Sequence, residues 1–118
     1  MGINQSVGKK GEEAALAFLK KKGYKIEATN YRTTTGEIDI IARDKSVLVF
    51  IEVKTRKSPV FGLPYEAVHH HKQAKIRLVA GRFLAEKACG CGDCRFDVIS
   101  ILLSATGDYK IEHIENAF

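Results

Sequence analysis

A chain of 118 residues, 45% hydrophobic and 28% charged, is long enough to bury one core and too short for two, and its composition excludes a fibre or a disordered tail. Lys and Arg number 19 against 14 Asp and Glu, leaving a net charge of +5 and a pI near 9.2, a balance that favours a polyanionic partner such as nucleic acid or an anionic membrane surface. The longest apolar runs, Val47 to Ile51 and Ile99 to Leu103, fall far short of the roughly 20 residues of a membrane span, and no basic patch followed by an apolar stretch opens the chain.

These features predict a single cytoplasmic domain over residues 1–118 with no membrane segment. The three cysteines, an odd number crowded into Cys89, Cys91 and Cys94, do not resemble an extracellular disulfide framework.

From Val7 to Lys22 the residues Val7, Gly11, Ala14, Ala15, Phe18 and Leu19 recur at helical spacing with lysines between them, which predicts an amphipathic helix. Ser6 can cap its first turn, Lys20 to Lys22 suit the dipole at its end, and Gly23 stops it. Tyr24 to Tyr31 reads as a strand, and Arg32 to Gly36 as a hairpin turn. In the next strand, Glu37 to Ala42, Ile38 and Ile40 alternate with Asp39 and Ile41. Asp44-Lys45-Ser46 then turns the chain into Val47 to Thr55. That last run is apolar on both sides, with Val47, Val49, Ile51 and Val53 on one and Leu48 and Phe50 on the other, so it predicts a central strand covered twice.

Ser58 to Pro64, with both prolines, reads as a loop able to lie over an active site. Within His70 to Lys87, Ile76, Val79, Ala80, Phe83 and Leu84 keep helical spacing. Arg95 to Leu103 and Tyr109 to Ile114 complete the set as two strands joined by Thr106-Gly107-Asp108. The expected architecture is α/β: a mixed central sheet of about five strands flanked by two main helices.

Chemistry concentrates where Glu52 and Lys54 end the apolar row of Leu48 and Phe50, because buried charges must be paired or bound to a metal. Read alone, the pair is more often a Glu-Lys salt bridge where a strand emerges into water. Asp39 adds weight to the second possibility. A turn centred near Lys45 brings it opposite residues close to Glu52, and two carboxylates a few ångströms apart repel unless a proton or cation joins them. Oxygen ligands of this kind suit Mg²⁺ or Mn²⁺. With a neighbouring lysine they are the parts needed for phosphodiester hydrolysis.

Gly36-Glu37-Ile38-Asp39, followed after 12 residues by Glu52-Val53-Lys54, resembles the Asp…Glu-x-Lys signature of PD-(D/E)xK nucleases. Nearly the whole chain resembles the YraN family of small bacterial proteins, similar in core to Holliday-junction resolvases and RecB-type nuclease domains. Gly11-Glu12, Gly23-Tyr24, Asn30-Tyr31-Arg32, Ile51 to Arg56, Lys72-Gln73 and Arg95 to Val98 contribute to that likeness.

The resemblance implies a restriction-endonuclease-like fold, a divalent cation on Asp39, Glu52 and the Val53 carbonyl, and Lys54 near the attacking water. It also implies an acidic residue on the first helix. Of Glu12 and Glu13, Glu12 borders the apolar stripe and is the expected one; the alternative is a solvated carboxylate complementing the helix dipole. Gln73, three residues before Ile76, resembles the helix glutamine of the RecB-like branch and would position Lys54 or a phosphate; the alternative is an amide satisfying local backbone groups.

Arg32, Arg56, Lys57, Lys72 and Lys75 are candidates for tracking phosphates, although basic residues more often form a solvated face. Asp97, interrupting an apolar strand, is expected to be structural. Zinc on Cys89, Cys91 and Cys94 is not expected, since a fourth ligand must come from a histidine or Asp93. His69 to His71, consecutive on one helix, cannot face one metal together.

The expected function is a Mg²⁺-dependent endonuclease acting on branched or unusual DNA, as a homodimer when both strands of a junction are engaged. The alternatives are a nucleic-acid-binding module that does not cleave or needs a protein partner to do so, and an assembly protein whose charge cluster only stabilises the sheet end.

Overall fold

In a computed structural model, which describes residues 7–57, 70–87 and 92–118, the elements follow the expected order. They are helix α1 (Val7–Lys21), strands β1 (Lys25–Arg32), β2 (Glu37–Asp44) and β3 (Val47–Arg56), helix α2 (His70–Lys87), and strands β4 (Cys94–Leu103) and β5 (Tyr109–Ile114). Ser6, the 58–64 segment, His69, Cys89 and Cys91 lie outside the described residues.

Helix α1 ends as its sequence dictates. Gly23 adopts a left-handed φ of 95°, and the paired bonds Gly23 N to Lys20 O (3.0 Å) and Tyr24 N to Leu19 O (3.0 Å) close a Schellman motif. Lys45, also left-handed at φ 59°, makes the tight β2–β3 turn.

The five strands form one mixed sheet whose spatial order is the chain order, β1-β2-β3-β4-β5, as in a restriction-endonuclease-like fold. Neighbours are antiparallel except β3 and β4, and that parallel pair requires a crossover, which contains α2. Each side of β3 is covered, as its two apolar rows require. Ala15 and Leu19 of α1 pack on Ile40, Ala42, Val49, Ile51, Ile99 and Ile101. On the other face Ile76, Val79, Ala80 and Phe83 of α2 pack on Ile41, Leu48, Phe50 and Val98. No helix among the described residues is long and apolar enough to cross a membrane.

The simple alternation read into β2 fails at one point. Ile38 and Ile40 were expected on one face, yet Ile38 joins the α2-side core and Ile40 the α1-side core, so the pleat breaks at Asp39. The cause lies in the β2–β3 ladder, which ends at Ile40↔Ile51.

On β4, level with Ile51 of β3, Asp97 is fully buried, as a structural carboxylate. It accepts hydrogen bonds from Arg95 Nε (2.9 Å) and the Asn116 backbone NH (3.1 Å), and pairs with His113 Nε2 (2.7 Å). Arg95 also donates to the Tyr24 hydroxyl (2.7 Å), which ties β4 to the start of β1. Burial pushes the Asp97 pKa up, but the bonds from His113, Arg95 and Asn116 outweigh it and hold the carboxyl below its ordinary range. Removing the carboxylate takes its main partner from Arg95, which is only 12% exposed. Asp97→Ala is therefore expected to lower stability by about 3–5 kcal/mol in urea unfolding; a loss no greater than that of a surface substitution would mean the cluster does not brace the sheet.

Candidate active site

The C-terminal half of β3 carries the expected charged residues, and the break in β2 brings Asp39 to them. Continuing the Ile40↔Ile51 register would set Ile38 opposite Val53. Instead, Asp39 Oδ2 accepts the Val53 backbone NH at 2.8 Å, so a side chain takes the hydrogen bond that the ladder no longer makes. The same register sets Asp39 opposite Glu52, which is 5% exposed.

Two carboxylates at such a place cannot both ionise freely. Burial, reinforced by the hydrogen bond and charge of Glu52, pushes the Asp39 pKa up to about 8, against the smaller opposing effect of the Val53 NH.

Glu52 Oε2 is paired with Lys72 Nζ at 2.6 Å. The salt bridge considered between Glu52 and Lys54 is thus made by a different lysine, from the first turn of α2. Lys54 lies beside Lys72, and its pKa is lowered by burial and then by contact with that second ammonium. Burial lowers the Lys72 pKa too, but its contacts with Glu52 and Lys54 raise it overall.

Helix α1 reaches the same place because Gly11 lets it. A Cβ at this buried position would come 1.8 Å from Thr55 Oγ1, so only glycine permits this approach of α1 to the end of β3. Gly8 and Glu12, either side of it, line a cavity of about 400 Å³ together with Glu37, Asp39, Glu52, Val53, Thr55 and Lys72. Glu12 is half-buried and accepts a hydrogen bond from Asn30 Nδ2 (3.1 Å), which also donates to Glu37 (3.1 Å); Glu13 is exposed. Asn30 adopts a left-handed φ of 49°.

The other candidates are distributed less tightly. Gln73 is half-buried but does not line the cavity, and its neighbour Lys72 does. The signal for Lys72 was present in the sequence: it lies four residues before buried Ile76, as Gln73 lies three before it, so both share the inward side of α2. Arg32 pairs with Glu37 at 3.3 Å. Arg56 and Lys57 continue β3 away from the carboxylates, and Lys75 and His71 are exposed on α2. Cys94 is exposed at the other end of the sheet, where β4 begins. Asn30, Glu37 and Thr55 carried only the family likeness and were given no role from sequence, and Gly8 was not singled out, because their positions depend on strand pairing and helix placement.

Among the described residues no three His, Cys, Asp or Glu side chains converge as an all-protein metal cage. The donors present, Asp39, Glu52 and the Val53 carbonyl, suit a cation that keeps most of its waters and takes one or two carboxylates, as Mg²⁺ does.

Residues 11–101 match the model of the uncharacterised protein family UPF0102. The chain is 49% identical to a UPF0102 protein of Alkaliphilus oremlandii, over 98% of this chain and 100% of that one. It is 46% identical to one of Chlorobium phaeobacteroides and 44% identical to one of Clostridium acetobutylicum, each over 98% of this chain and 96% of the relative.

The raised Asp39 pKa has a sign that can be measured. Asp39 keeps its proton in the folded state up to about pH 8 and releases it near 3.8 when unfolded, so the folded state binds more protons in that window and stability falls as pH rises through it. A divalent cation held by this pair would compete with that proton, so Mg²⁺ would then raise the Tm more at about pH 8 than at about pH 5. Asp39→Asn should melt higher than wild type at the upper pH without metal and lose the Mg²⁺ response; a Tm indifferent to Mg²⁺ at both values would show that the pair takes no cation.

Proposed function

For a chain that belongs to the uncharacterised protein family UPF0102, we propose a divalent-metal-dependent nuclease that hydrolyses phosphodiester bonds in DNA, with branched or otherwise unusual structures as its substrates. The observation that carries this reading is the placement of Asp39 opposite Glu52 at the end of a strand ladder, with Lys54 and Lys72 beside them. Asp39, Glu52 and the Val53 carbonyl would hold Mg²⁺ or Mn²⁺, which when bound offsets phosphate charge and makes water more acidic.

The chain's own groups divide the remaining work. Lys54 orients the attacking water and stabilises the negative charge that grows on the phosphate oxygens as the water oxygen bonds to phosphorus and the ester P–O bond breaks. Lys72, paired with Glu52 and lining the same cavity, would receive a phosphate oxygen there. Glu12 adds negative charge facing Asp39 and is fixed by Asn30. Gln73 is a positioning candidate on α2. Arg32, Arg56, Lys57 and Lys75 are candidates for phosphate contacts whose contribution depends on salt. Engagement of both strands of a junction calls for a homodimer of so small a chain.

The close Lys72–Glu52 pair favours a second reading, a charge cluster that only stabilises the sheet end. Cleavage separates the two. Labelled single-stranded, duplex, flap and four-way-junction DNA is expected to be cut in Mg²⁺ or Mn²⁺ by wild type, with Asp39→Ala and Lys54→Ala slowed by about 10²-fold or more at matched folding. DNA bound but intact with both metals would point to a non-catalytic or partner-dependent module, and DNA neither bound nor cut would leave the structural cluster.

A further inference from the structure

A second cavity, of about 320 Å³, opens at the same end of the sheet as the carboxylates, with Leu102, Leu103, Tyr109, Lys57 and Lys110 in its lining. The strand register explains why it lies there. β3 and β4 run parallel and their last pair is Arg56↔Leu102, while antiparallel β5 begins with Tyr109 opposite Leu103. Lys57 follows Thr55, which lines the acidic cavity, by two residues, about 7 Å of extended chain.

The two cavities differ in chemistry. The first is lined by four acidic residues, Glu12, Glu37, Asp39 and Glu52. The second is lined by half-buried Leu102 and Leu103, by Tyr109, which stays 49% exposed, and by exposed Lys57 and Lys110; the register sets Leu103 and Tyr109 on the α1 side and Leu102 and Lys110 on the other, so the cavity draws on both faces at the sheet's end. Asp108, the acidic group in its lining, accepts a hydrogen bond from Thr106 Oγ1 (3.2 Å) within the β4–β5 turn.

An exposed aromatic ring and cations lining one cavity suit an unpaired nucleotide, with its base stacked on the ring and its phosphates near ammonium groups. Bases within a duplex are already stacked on one another and cannot occupy such a cleft.

We propose that the Leu102–Leu103–Tyr109 cleft, with Lys57 and Lys110, seats an unpaired nucleotide of the strand whose phosphodiester lies at Asp39 and Glu52. The proposal rests on the nuclease reading and narrows its substrate to nucleic acid with a single-stranded segment beside the scissile bond. The basic run Lys54, Arg56 and Lys57 then follows the strand from one cavity to the other.

The test is fluorescence anisotropy of the full chain, in EDTA to prevent cleavage, with labelled oligo(dT) and a matched blunt duplex. Tyr109→Ala is expected to weaken oligo(dT) binding about tenfold, and by more than it weakens duplex binding, whereas Tyr109→Phe retains it. Lys110→Glu, a surface change that leaves the ring in place, should weaken oligo(dT) binding and flatten its salt dependence.

Oligo(dT) affinity unchanged in both Tyr109→Ala and Lys110→Glu overturns the cleft while leaving the nuclease reading intact. Wild type that binds neither oligonucleotide overturns both. A Tyr109→Ala variant that turns a dimeric wild type into a monomer at unchanged oligo(dT) affinity assigns the cleft to a second copy of this chain and also overturns the proposal.

Discussion

The site depends on one hydrogen bond, from the Val53 backbone NH to Asp39 Oδ2. β2 and β3 pair regularly from their turn to Ile40↔Ile51 and then stop, and the carboxylate of the next residue satisfies an amide that would otherwise be left half-buried and unpaired. This substitution breaks the pleat of β2, sends Ile38 to the opposite core from Ile40, and sets Asp39 beside Glu52. Their mutual repulsion is a direct consequence, and the proton retained by Asp39 and the ammonium of Lys72 on Glu52 are the molecule's present answers to it. Gly11 completes the arrangement by letting α1 approach Thr55 closely enough to bring in Glu12.

The strands on either side of β3 treat buried carboxylates in opposite ways. Asp97 is surrounded by donors, Arg95, His113 and the Asn116 NH, so its charge is settled within the fold and it braces four segments of chain. Asp39 accepts from the Val53 NH and faces other acids, so ionising it carries an electrostatic cost and it keeps its proton. A carboxylate surrounded by donors is a structural group, whereas acids held together at a cost are candidates for a ligand that relieves it. The distinction separates the acidic pair of Asp39 and Glu52 from the braced Asp97 on the adjoining strand.

Much of this was legible in the residues. The apolar rows of Val47 to Val53 and Leu48 to Phe50 placed β3 at the centre with a helix on each side, Gly23 marked the end of α1, and His70 to Lys87 carried the spacing of α2, because burial and backbone conformation write themselves directly into local sequence. Contacts between distant elements were harder to read. Lys72 and Gln73 are adjacent on the inward side of α2, and which of them meets Glu52 depends on how far the helix has turned where it crosses β3. The break at Asp39 was invisible because a side chain replacing a backbone partner leaves no trace in hydrophobic alternation. The likeness of Asp39, Glu52 and Lys54 to a nuclease signature named the residues, and strand register supplied the physical reason that Asp39 and Glu52 come together.

The most direct measurement is an anomalous-difference map from crystals of the wild-type protein soaked in Mn²⁺. A cation site in the opened ladder predicts a peak bridging the carboxylates of Asp39 and Glu52 and touching the Val53 carbonyl, with Lys72 displaced from Glu52. A map with no peak there at saturating Mn²⁺, and Lys72 still on Glu52, would contradict it.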